Sequence, residues 1–403
     1  MRANYKRLGD YIKEVKNRNT ELKAEKLLGI NIDKFFMPSV ANVIGTDMSV
    51  YKIVKRNQFA CNRMHVGRDY RLPISMSKTD EEFMVSPAYD VFEINDTQIL
   101  YPEYLMMWFS RREFDRNAWF YTDADVRGGL HWKALCDMQL PIPSITKQKE
   151  IVKEYNVIQN RITLNQQLIK KLEETAQTIY KQWFVDFEFP DENGKPYKSS
   201  GGEMVESELG EIPEGWEVKG FTKVIKLSGG GTPNTEHLEY WGGEIPFYTP
   251  RDLVEYYYSI STTKMITSLG LQKCSSKLFP TNTTFITARG ATVGGIAMVG
   301  IPMAMNQTCY AINGKNGADY FAHQLSILAI SKLKKEAVGA TFEALVTKNF
   351  DEKLVIEPNL KTIHLFENKI QNIYQLILIT VKQNQKLEDF KNLLLSKLAT
   401  IEN

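Results

Sequence analysis

Two stretches of the chain repeat apolar residues at alternating steps of four and three, with polar residues between them. In the first stretch the repeating positions are Ile151, Tyr155, Ile158, Ile162, Asn165, Ile169, Leu172, Ala176, Ile179 and Trp183. This spacing predicts a helix that packs along its length against another helix. Because Gly and Pro are absent from 144 to 189, the helix can extend over roughly 38 residues, or about 57 Å.

The second stretch lies near the C-terminus and repeats the first after a shift of 219 positions. With this shift Ile151, Tyr155 and Ile158 fall on Ile370, Tyr374 and Ile377, and Asn165 and Leu168 fall on Asn384 and Leu387. Each predicted helix therefore carries an Asn in an apolar seam, which costs stability but fixes register and orientation. A plain long core helix explains either run alone, whereas two runs with the same residues in the same order favour an internal repeat.

The regions that precede the two helices also resemble each other. Residues 58–63 lead to Val66-Gly67, while residues 284–289 lead to Val293-Gly294. A β-rich run follows in each case, at 88–94 and at 308–312, and an apolar strand at 140–143 or 354–356 comes just before each helix. The sequence predicts an α+β fold in which two globular domains (1–143 and 216–358) alternate with two long helices (144–189 and 359–403), with a Gly-, Ser- and charge-rich linker at 190–215.

Composition limits the classes of function. The chain has 403 residues, of which 43% are hydrophobic and 24% charged, and its net charge is only +2. DNA binding would therefore depend on local clusters of charge rather than on a basic chain. Four widely spaced cysteines without a CxxC pair predict reduced thiols, and the absence of an apolar signal or an 18-residue apolar run predicts a soluble, cytoplasmic protein with no membrane association.

Catalytic motifs are missing from the sequence. There is no phosphate-binding G-x-x-x-x-G-K-[ST], no Asn-Pro-Pro-aromatic run, no HExxH and no GxSxG, and the five histidines are isolated. The glycine cluster 229–231 is better explained as a tight turn at a strand end than as a phosphate cradle. The faintly nuclease-like run 191–195 lies in the predicted linker without a supporting strand. We expect no catalytic residue, no metal site and no cofactor on this chain.

Basic residues cluster in the first domain. Between Lys52 and Arg71 there are six basic residues and one acid, and a second group contains Arg111, Arg112, Arg116 and Arg127. Arginine can bind guanine edges or phosphates. The candidate DNA-binding residues in this half are Arg63, His65, Arg68, Arg71 and Arg127. A solvated basic face is the competing interpretation of such a cluster.

The second domain has its own candidates at the equivalent loop and nearby. They are Thr249, Arg251, Tyr257, Arg289, Thr292, Asn306 and Gln307. The amide groups of Asn and Gln suit base edges. Ordinary turn and strand-end polarity explains each residue taken alone, and only the coincidence of clusters at equivalent places in both halves favours DNA binding.

Several motifs resemble those of a known family. They include Leu140-Pro141-Ile142-Pro143, then Gln148-Lys149-Glu150-Ile151-Val152, and Trp183-Phe184-Val185-Asp186-Phe187 at the end of the first helix. Further matches are the run 210–216, GEIPEGW, then Gly230-Gly231-Thr232-Pro233 and Tyr240-Trp241-Gly242-Gly243. From end to end the chain resembles the specificity subunits of Type I restriction–modification enzymes.

The resemblance implies a non-catalytic subunit with two target-recognition domains and two spacer helices that pack as an antiparallel coiled coil. It implies double-stranded DNA as a partner, read as a bipartite site with a gap set by the spacer. It also implies two methyltransferase subunits, which methylate adenine with S-adenosylmethionine, and motor–nuclease restriction subunits, which use ATP and Mg²⁺. The first domain lacks the GGTP…YWGG entry of the second, so the two halves should read different sequences.

Three other functions compete with this one. A stand-alone DNA-binding regulator with a coiled-coil arm would bind an operator as a homodimer without partners. A structural scaffold would have no nucleic-acid role. A fused restriction or methyltransferase enzyme is disfavoured by the missing catalytic motifs. Adjacent methyltransferase and helicase–nuclease genes would distinguish the family interpretation from the first two.

Overall fold

The structure is a computed structural model of the chain. It describes residues 5–40, 45–122, 128–254, 258–336 and 344–400. The chain divides into two compact units. Unit 1 comprises Met1–Ile162 and Lys386–Asn403, and unit 2 comprises Thr163–Gln385.

Ten α-helices and six short 3-10 helices occur among the described residues. The α-helices are α1 (Val66–Asp69), α2 (Pro102–Phe109), α3 (Arg112–Phe120), α4 (Trp132–Asp137), α5 (Ile145–Phe184), α6 (Phe221–Val224), α7 (Ser268–Gln272), α8 (Asp319–Glu336), α9 (Thr347–Asp351) and α10 (Leu360–Lys397). The 3-10 helices are Leu8–Asp10, Met48–Val50, Leu238–Tyr240, Pro250–Asp252, Lys315–Gly317 and Leu398–Thr400.

The strands are short, and the described part of each unit contains its own set. Unit 1 contains β1 (Tyr5–Arg7), β2 (Ile12–Val15), β3 (Leu28–Ile30), β4 (Phe36–Pro38), β5 (Lys52–Val54), β6 (Phe59–Cys61), β7 (Ile74–Met76), β8 (Phe83–Val85), β9 (Asp90–Ile94) and β10 (Gln139–Pro141). Unit 2 contains β11 (Met204–Val205), β12 (Ile212–Pro213), β13 (Glu217–Gly220), β14 (Ile225–Gly229), β15 (Trp241–Tyr248), β16 (Tyr258–Ser259), β17 (Lys264–Ile266), β18 (Thr284–Thr287), β19 (Ile296–Val299), β20 (Ala304–Met305), β21 (Cys309–Gly314) and β22 (Leu354–Glu357).

A four-stranded antiparallel sheet forms the centre of unit 1. Its strand order is β2-β9-β6-β7, with Phe59 opposite both Phe92 and Met76. The rings of Phe59 and Phe92 stack at 5.1 Å, and Phe109 of α2 meets Phe59 edge-on at 5.9 Å. Phe59, Phe92 and Phe109 are fully buried. Their burial between the central sheet and α2 stabilises the apolar core of unit 1.

The central sheet of unit 2 repeats this order and adds one strand. Its order is β14-β21-β18-β19-β16. As in unit 1, the strand that comes first along the chain (β14) pairs with the one that comes last (β21), and β21 also lies beside the hairpin β18–β19. The strands β18 and β21 coincide with the runs 284–289 and 308–312, which the sequence aligned with the runs that contain β6 and β9. A separate three-stranded sheet, β17-β15-β20, lies in the same unit.

The first and last strands of each globular region pair with each other. In unit 1, β1 is antiparallel to β10, with Lys6 opposite Leu140. In unit 2, β13 is antiparallel to β22, with Val218 opposite Ile356. The strand that comes just before each long helix, β10 or β22, is therefore hydrogen-bonded to the first strand of the preceding globular region.

Helices α5 and α10 are antiparallel within each unit. In unit 2, Asn165 bonds to Asn384 at 2.8 Å, and Phe366, earlier on α10, packs against Trp183, later on α5, at 5.8 Å. In unit 1, Lys391 donates to Gln159 at 3.3 Å. The predicted α+β class and the antiparallel helix pairing are confirmed, and the helices begin and end within a few residues of the predicted bounds.

Local chemistry explains where the long helices begin and end. The side chain of Asn359 accepts from the backbone N–H of Thr362 at 2.9 Å, which satisfies a free donor at the start of α10. Pro143 precedes the start of α5, and the chain turns away after α5 at Phe187, whose φ of 63° lies in the left-handed region.

The segment predicted to be a linker, 190–215, is folded within unit 2. Tyr197 stacks on Phe189 at 4.6 Å, and Trp216 stacks on the same Phe189 at 4.9 Å. Strands β11 and β12 form a small hairpin in this segment. The sequence suggested few residues able to anchor a core, but a small number of aromatic residues is enough to hold a polar segment in place.

Candidate nucleic-acid interface

The loop between β6 and β7 carries the basic cluster of unit 1. Its backbone is held against the segment before α4, because the N–H of Leu130 donates to the carbonyl of Arg63 at 2.9 Å and the N–H of Gly67 donates to Gly128 at 2.8 Å. A Cβ added at Gly67 would lie 2.7 Å from the Cα of Gly128. Both positions therefore need glycine for this close backbone approach.

Arg63 is bound within the domain rather than free at the surface. Its guanidinium pairs with the carboxylate of Asp90 on β9 and donates to the carbonyl of Leu130. It also lies 6.0 Å from the centre of the Trp132 ring, and only 21% of its side chain is exposed. These contacts engage Nε and Nη1 of the guanidinium, so Arg63 supports the loop that the neighbouring arginines occupy.

Arg68 and Arg71 are exposed. Arg68 bonds through two nitrogens to the adjacent Asp69, at 2.6 and 2.9 Å, and Arg71 pairs with Asp33 at 2.6 Å. Exposed pairs of this kind contribute about 1 kcal/mol or less, so both guanidiniums can exchange a carboxylate for a phosphate. His65 is half-buried and directly precedes α1. The candidate Arg127 lies outside the residues that the structure describes.

A buried ion pair stabilises the loop between β6 and β7. Lys34, on the turn between β3 and β4, bonds to Asp115 of α3 at 2.7 Å, and Asp115 also accepts from the backbone N–H of Leu72 at 3.1 Å. Burial raises the pKa of Asp115 and lowers that of Lys34, while their mutual attraction opposes both shifts. The pair ties the hairpin, α3 and the end of the basic loop together.

The loop between β18 and β19 occupies the equivalent position in unit 2. The N–H of Leu345 donates to the carbonyl of Ala288 at 2.8 Å, and Arg289 forms a β-bridge with Ala344. Arg289 and Thr292 are exposed on this loop, and Gly290 at its turn has a φ of 94°. As in unit 1, the loop is bonded to the segment that comes after the helical part of the domain.

The other candidates of unit 2 serve partly structural roles. Thr249 caps the turn at Pro250–Asp252 through reciprocal hydrogen bonds with Asp252, and Arg251 on that turn is exposed. The side-chain oxygen of Asn306 accepts from the backbone N–H of Thr308 at 3.1 Å. The exposed Gln307 bonds to Thr232. Tyr257 lies outside the described residues.

The glycine cluster of unit 2 serves close packing. A Cβ at Gly230 would lie 2.2 Å from the carbonyl oxygen of Asn306, and one at Gly231 would lie 2.1 Å from the Ser275 hydroxyl. The N–H of Gly231 donates to Met305 at 3.1 Å. These glycines allow the end of β14 to lie directly against the loop that carries Asn306 and Gln307.

The candidate coiled-coil residues lie on the two long helices. Asn165 bonds to Asn384 across them, whereas Tyr374 packs on Tyr320 and accepts from Gln324 of α8. In unit 1 the seam residues are Ile151, Tyr155, Ile158, Ile162 and Leu387, of which Ile162 is buried and the others half-buried. In unit 2 they are Asn165, Leu172, Ile370, Tyr374, Ile377 and Asn384, of which Leu172 and Asn384 are half-buried and the others buried.

Sequence reasoning missed two groups of residues in unit 1. Lys34, Asp90 and Asp115 act through ion pairs between residues far apart in sequence, which no local pattern reveals. The run Trp119-Phe120-Tyr121 is exposed at the end of α3, although aromatic residues usually pack inward. The sequence shows three consecutive aromatic residues after a group of arginines. It does not show that their side chains are exposed.

Two further properties bear on the chemistry of the described residues. In the ranges given above, no group of three or more His, Cys, Asp or Glu is placed to hold a metal ion. None of the helices in those ranges combines the length and apolarity that crossing a bilayer requires.

Comparison with known proteins gives a consistent result. Residues 213–389 match the family model described as Type I restriction modification DNA specificity domain. The chain is 24% identical to the Type I restriction enzyme HindI specificity subunit of Haemophilus influenzae, over 91% of each chain. It is 32% identical to the MjaIX specificity subunit of Methanocaldococcus jannaschii, over 46% of this chain and 44% of the relative.

A solved structure has the same fold. The crystal structure of a Type I restriction–modification S subunit from M. genitalium aligns with a TM-score of 0.55 at 12% identity and covers 99% of this chain and 96% of its own. At that identity the likeness concerns the fold. Together with the family model and the end-to-end relative, it confirms the resemblance seen in the motifs. Residues 213–389 therefore belong to the Type I restriction modification DNA specificity domain family, and the chain as a whole is similar to Type I restriction enzyme specificity subunits.

Proposed function

We propose that this chain is the DNA-reading subunit of a Type I restriction–modification complex, in which each unit recognises one half of an asymmetric bipartite site. The observation that carries the proposal is the pair of equivalent loops, 62–73 and 288–295, each joining two antiparallel neighbours of a central sheet and each bonded to a distant segment of its own unit. Rigid loops presented by a sheet suit base reading, which needs side chains at fixed positions.

The two loops carry different side chains. The loop of unit 1 presents Arg68 and Arg71, whereas the loop of unit 2 presents Arg289 and Thr292. Arginine discriminates guanine when two of its donors reach one base, and threonine contacts several bases less selectively. Because the two loops present different side chains, we expect the two half-sites of the target to differ in sequence.

Catalysis would belong to the partner subunits. The sequence has no cofactor-binding or nucleophile motif, so methylation and cleavage require other chains. In this proposal methyltransferase subunits supply S-adenosylmethionine chemistry on a flipped adenine. Restriction subunits supply ATP- and Mg²⁺-dependent translocation and cleavage.

The long helices offer apolar surface for two methyltransferase subunits. In unit 1 the exposed fractions of Val157 and Phe390 are 62% and 58%, and in unit 2 those of Leu376 and Ile379 are 41% and 53%. Val157 and Leu376 are related by the same 219-residue shift as the helix seams. Exposed apolar side chains at repeated positions support two equivalent docking sites.

The test is to express the full chain together with the methyltransferase encoded beside it and to map methylated adenines across the genome. We expect one bipartite asymmetric motif that disappears when this chain is omitted. Val157→Glu and Leu376→Glu should each remove one copy of the methyltransferase from the complex, as measured by native mass spectrometry. A methyltransferase that modifies the same sites without this chain would contradict the proposal.

The competing function is a stand-alone DNA-binding regulator. It predicts that the purified chain binds its target as a homodimer with the same affinity whether or not the methyltransferase is present. A gel-shift titration of both samples separates the two functions, because the proposed subunit gains phosphate and base contacts from its partners and should bind more tightly in the complex.

A further inference from the structure

Four large aromatic side chains of unit 1 are exposed beside the basic loop. We call Tyr70, Trp119, Phe120 and Tyr121 the aromatic surface. Their exposed fractions are 62%, 46%, 77% and 54%. The buried face of α3 is formed by Phe114, Asp115 and Ala118, so the aromatic end of the helix is directed away from the core.

The aromatic surface is presented by an ordered scaffold. Tyr70 caps α1 with a φ of 56°, a left-handed conformation that is unusual for an aromatic residue. Its ring meets that of Trp119 edge-on, with centres 5.2 Å apart, and the rings of Phe120 and Tyr121 meet in the same way at 5.3 Å. A backbone conformation of this kind costs free energy and persists where the surrounding structure holds it, as at ligand-binding sites.

The same two helical segments carry exposed arginines. Arg68 and Arg71 lie beside Tyr70 in sequence, and Arg112 and Arg116 precede Trp119 and Phe120 on α3. Residues four apart share a helix face, so Arg116 lies on the same side of α3 as Phe120. The carboxylates in these segments are Asp69, Glu113 and Asp115, of which Asp115 is buried and bound to Lys34. Asp33 also lies here, and Asp33, Asp69 and Glu113 pair with Arg71, Arg68 and Arg116. The four arginines therefore outnumber, by one, the three carboxylates that are not buried.

Rings surrounded by guanidiniums match the chemistry of a nucleic acid, with flat bases and anionic phosphates. A protein partner would also cover exposed rings, but it offers no regular array of anions to the arginines. In duplex DNA a ring can stack on a base only where a base step opens, which aromatic and other apolar wedges bring about while kinking the helix.

We propose that the aromatic surface stacks on a base at an opened step in the DNA that unit 1 reads. Arg68, Arg71 and Arg116 would hold the flanking phosphates. This inference rests on the proposed function and adds a specificity element to it, because opening a base step is easiest at flexible pyrimidine–purine steps. Unit 1 would then favour such steps in its half-site without a hydrogen bond to them.

The test measures DNA affinity of the complete methyltransferase complex at several salt concentrations, with a duplex that carries the mapped target. Trp119→Ala should weaken binding by about 5- to 150-fold, the range expected for loss of one base–aromatic stack. The slope of log affinity against log salt should stay unchanged, because that slope counts phosphate contacts. Arg68→Ala should instead reduce the slope by about 0.9.

A fluorescent base gives an independent readout. With 2-aminopurine placed in turn at each step of the unit 1 half-site, the wild-type complex should change the emission at one step, and Phe120→Ala or Trp119→Ala should abolish that change. Trp119→Phe should retain most of it, because a ring remains. Leu22→Ala, a change of a 59% exposed apolar residue in the same unit, is the control and should leave affinity and emission unchanged.

Three outcomes would overturn the inference. The first is unchanged affinity in both Trp119→Ala and Phe120→Ala while the wild-type complex binds its target normally, which leaves the proposed function intact. The second is loss of methyltransferase from the Trp119→Ala complex in the absence of DNA, which would identify the aromatic surface as a protein interface. A wild-type complex with no preference for the mapped duplex would remove the proposed function and this inference together.

Discussion

The side-chain amides of Asn165 and Asn384 bond to each other across the two long helices, with 2.8 Å between Nδ2 and Oδ1. The two residues are 219 positions apart, the same shift that relates the two apolar seams. Each Asn therefore meets its own counterpart in the repeat. A polar pair at this position is satisfied only when the helices are in this register.

Replacing Asn165 should destabilise the chain, because Asn384 then keeps a half-buried amide without this hydrogen bond. Asn165→Leu is expected to lower the free energy of unfolding by about 1–3 kcal/mol. The double variant Asn165→Leu/Asn384→Leu should recover this loss or exceed wild-type stability, while methylation at the mapped sites falls because the register is no longer fixed. Urea unfolding and methylation mapping measure the two effects. A double variant as unstable as the single one would contradict the role assigned to the pair.

Because the backbones of Gly67 and Gly128 lie in close contact, we expect a methyl group added at Gly67 to lower the stability of unit 1. Gly67→Ala would place its Cβ 2.7 Å from the Cα of Gly128, and the backbone there has no flexible side chain to move. We expect a loss of about 1–3 kcal/mol in stability, as for overpacking, and loss of recognition at one half-site. Gly29→Ala is the control, since nothing lies within 4 Å of its added Cβ. The measurements are thermal unfolding and methylation mapping.

Arg63 and Arg68 should behave differently although they are five residues apart. Arg63→Ala leaves the carboxylate of Asp90, only 14% exposed, without its partner, and should cost about 1–3 kcal/mol of stability. Arg63→Ala/Asp90→Ala should recover part of that. Arg68→Ala should leave the melting temperature unchanged and weaken DNA binding at low salt. If Arg63→Ala folds as stably as wild type and loses DNA binding alone, Arg63 contacts DNA after all.

Glu173 predicts a pH dependence of stability. It is buried on α5, with 7% of its surface exposed, and burial raises its pKa to about 8. Because the folded-state pKa exceeds the ordinary value of 4.5, the stability that the protonated carboxyl contributes is fully present below about pH 4.5. That stability is lost as the pH rises through about 8.

Glu173→Gln should remove this dependence and stabilise the chain at pH 9 by on the order of a few kcal/mol. Urea unfolding at pH 5, 7 and 9 measures it. Glu174→Gln, on the exposed face of the same helix, is the matched control and should leave the pH profile unchanged. An identical profile for wild type and Glu173→Gln would show that the glutamate reaches water in the folded chain.

The parts of the fold that depend on periodicity could be predicted from the sequence. The seam from Ile151 to Trp183 specified α5 because each apolar residue occurs at helical spacing, and the shift of 219 led from Asn165 to Asn384 before any contact was visible. The aligned runs 58–63 and 284–289 contain β6 and β18, and the runs 88–94 and 308–312 contain β9 and most of β21. In each case the signal lies in residues close in sequence or in a repeat.

The supporting contacts of the candidate site could not be predicted in this way. Arg63 looked like a DNA-binding residue because its neighbours are basic, but its partner Asp90 lies 27 positions away and on another strand. The run 190–215 looked like a linker by composition, yet Phe189, Tyr197 and Trp216 stack to hold it. Pairing between distant residues depends on topology, which local composition does not encode.

The pairing of β1 with β10, and of β13 with β22, brings the entry and exit of each globular region side by side. A region built in this way is an insertion with a two-strand base, and it also packs on the long helices, as the hydrogen bond from Gln324 of α8 to Tyr374 of α10 shows. Genetic exchange that cuts at both strands could replace the whole insert while leaving the scaffold untouched. The architecture would thus let a lineage exchange a globular region as a cassette, provided that the new region fits the helix surface on which it packs.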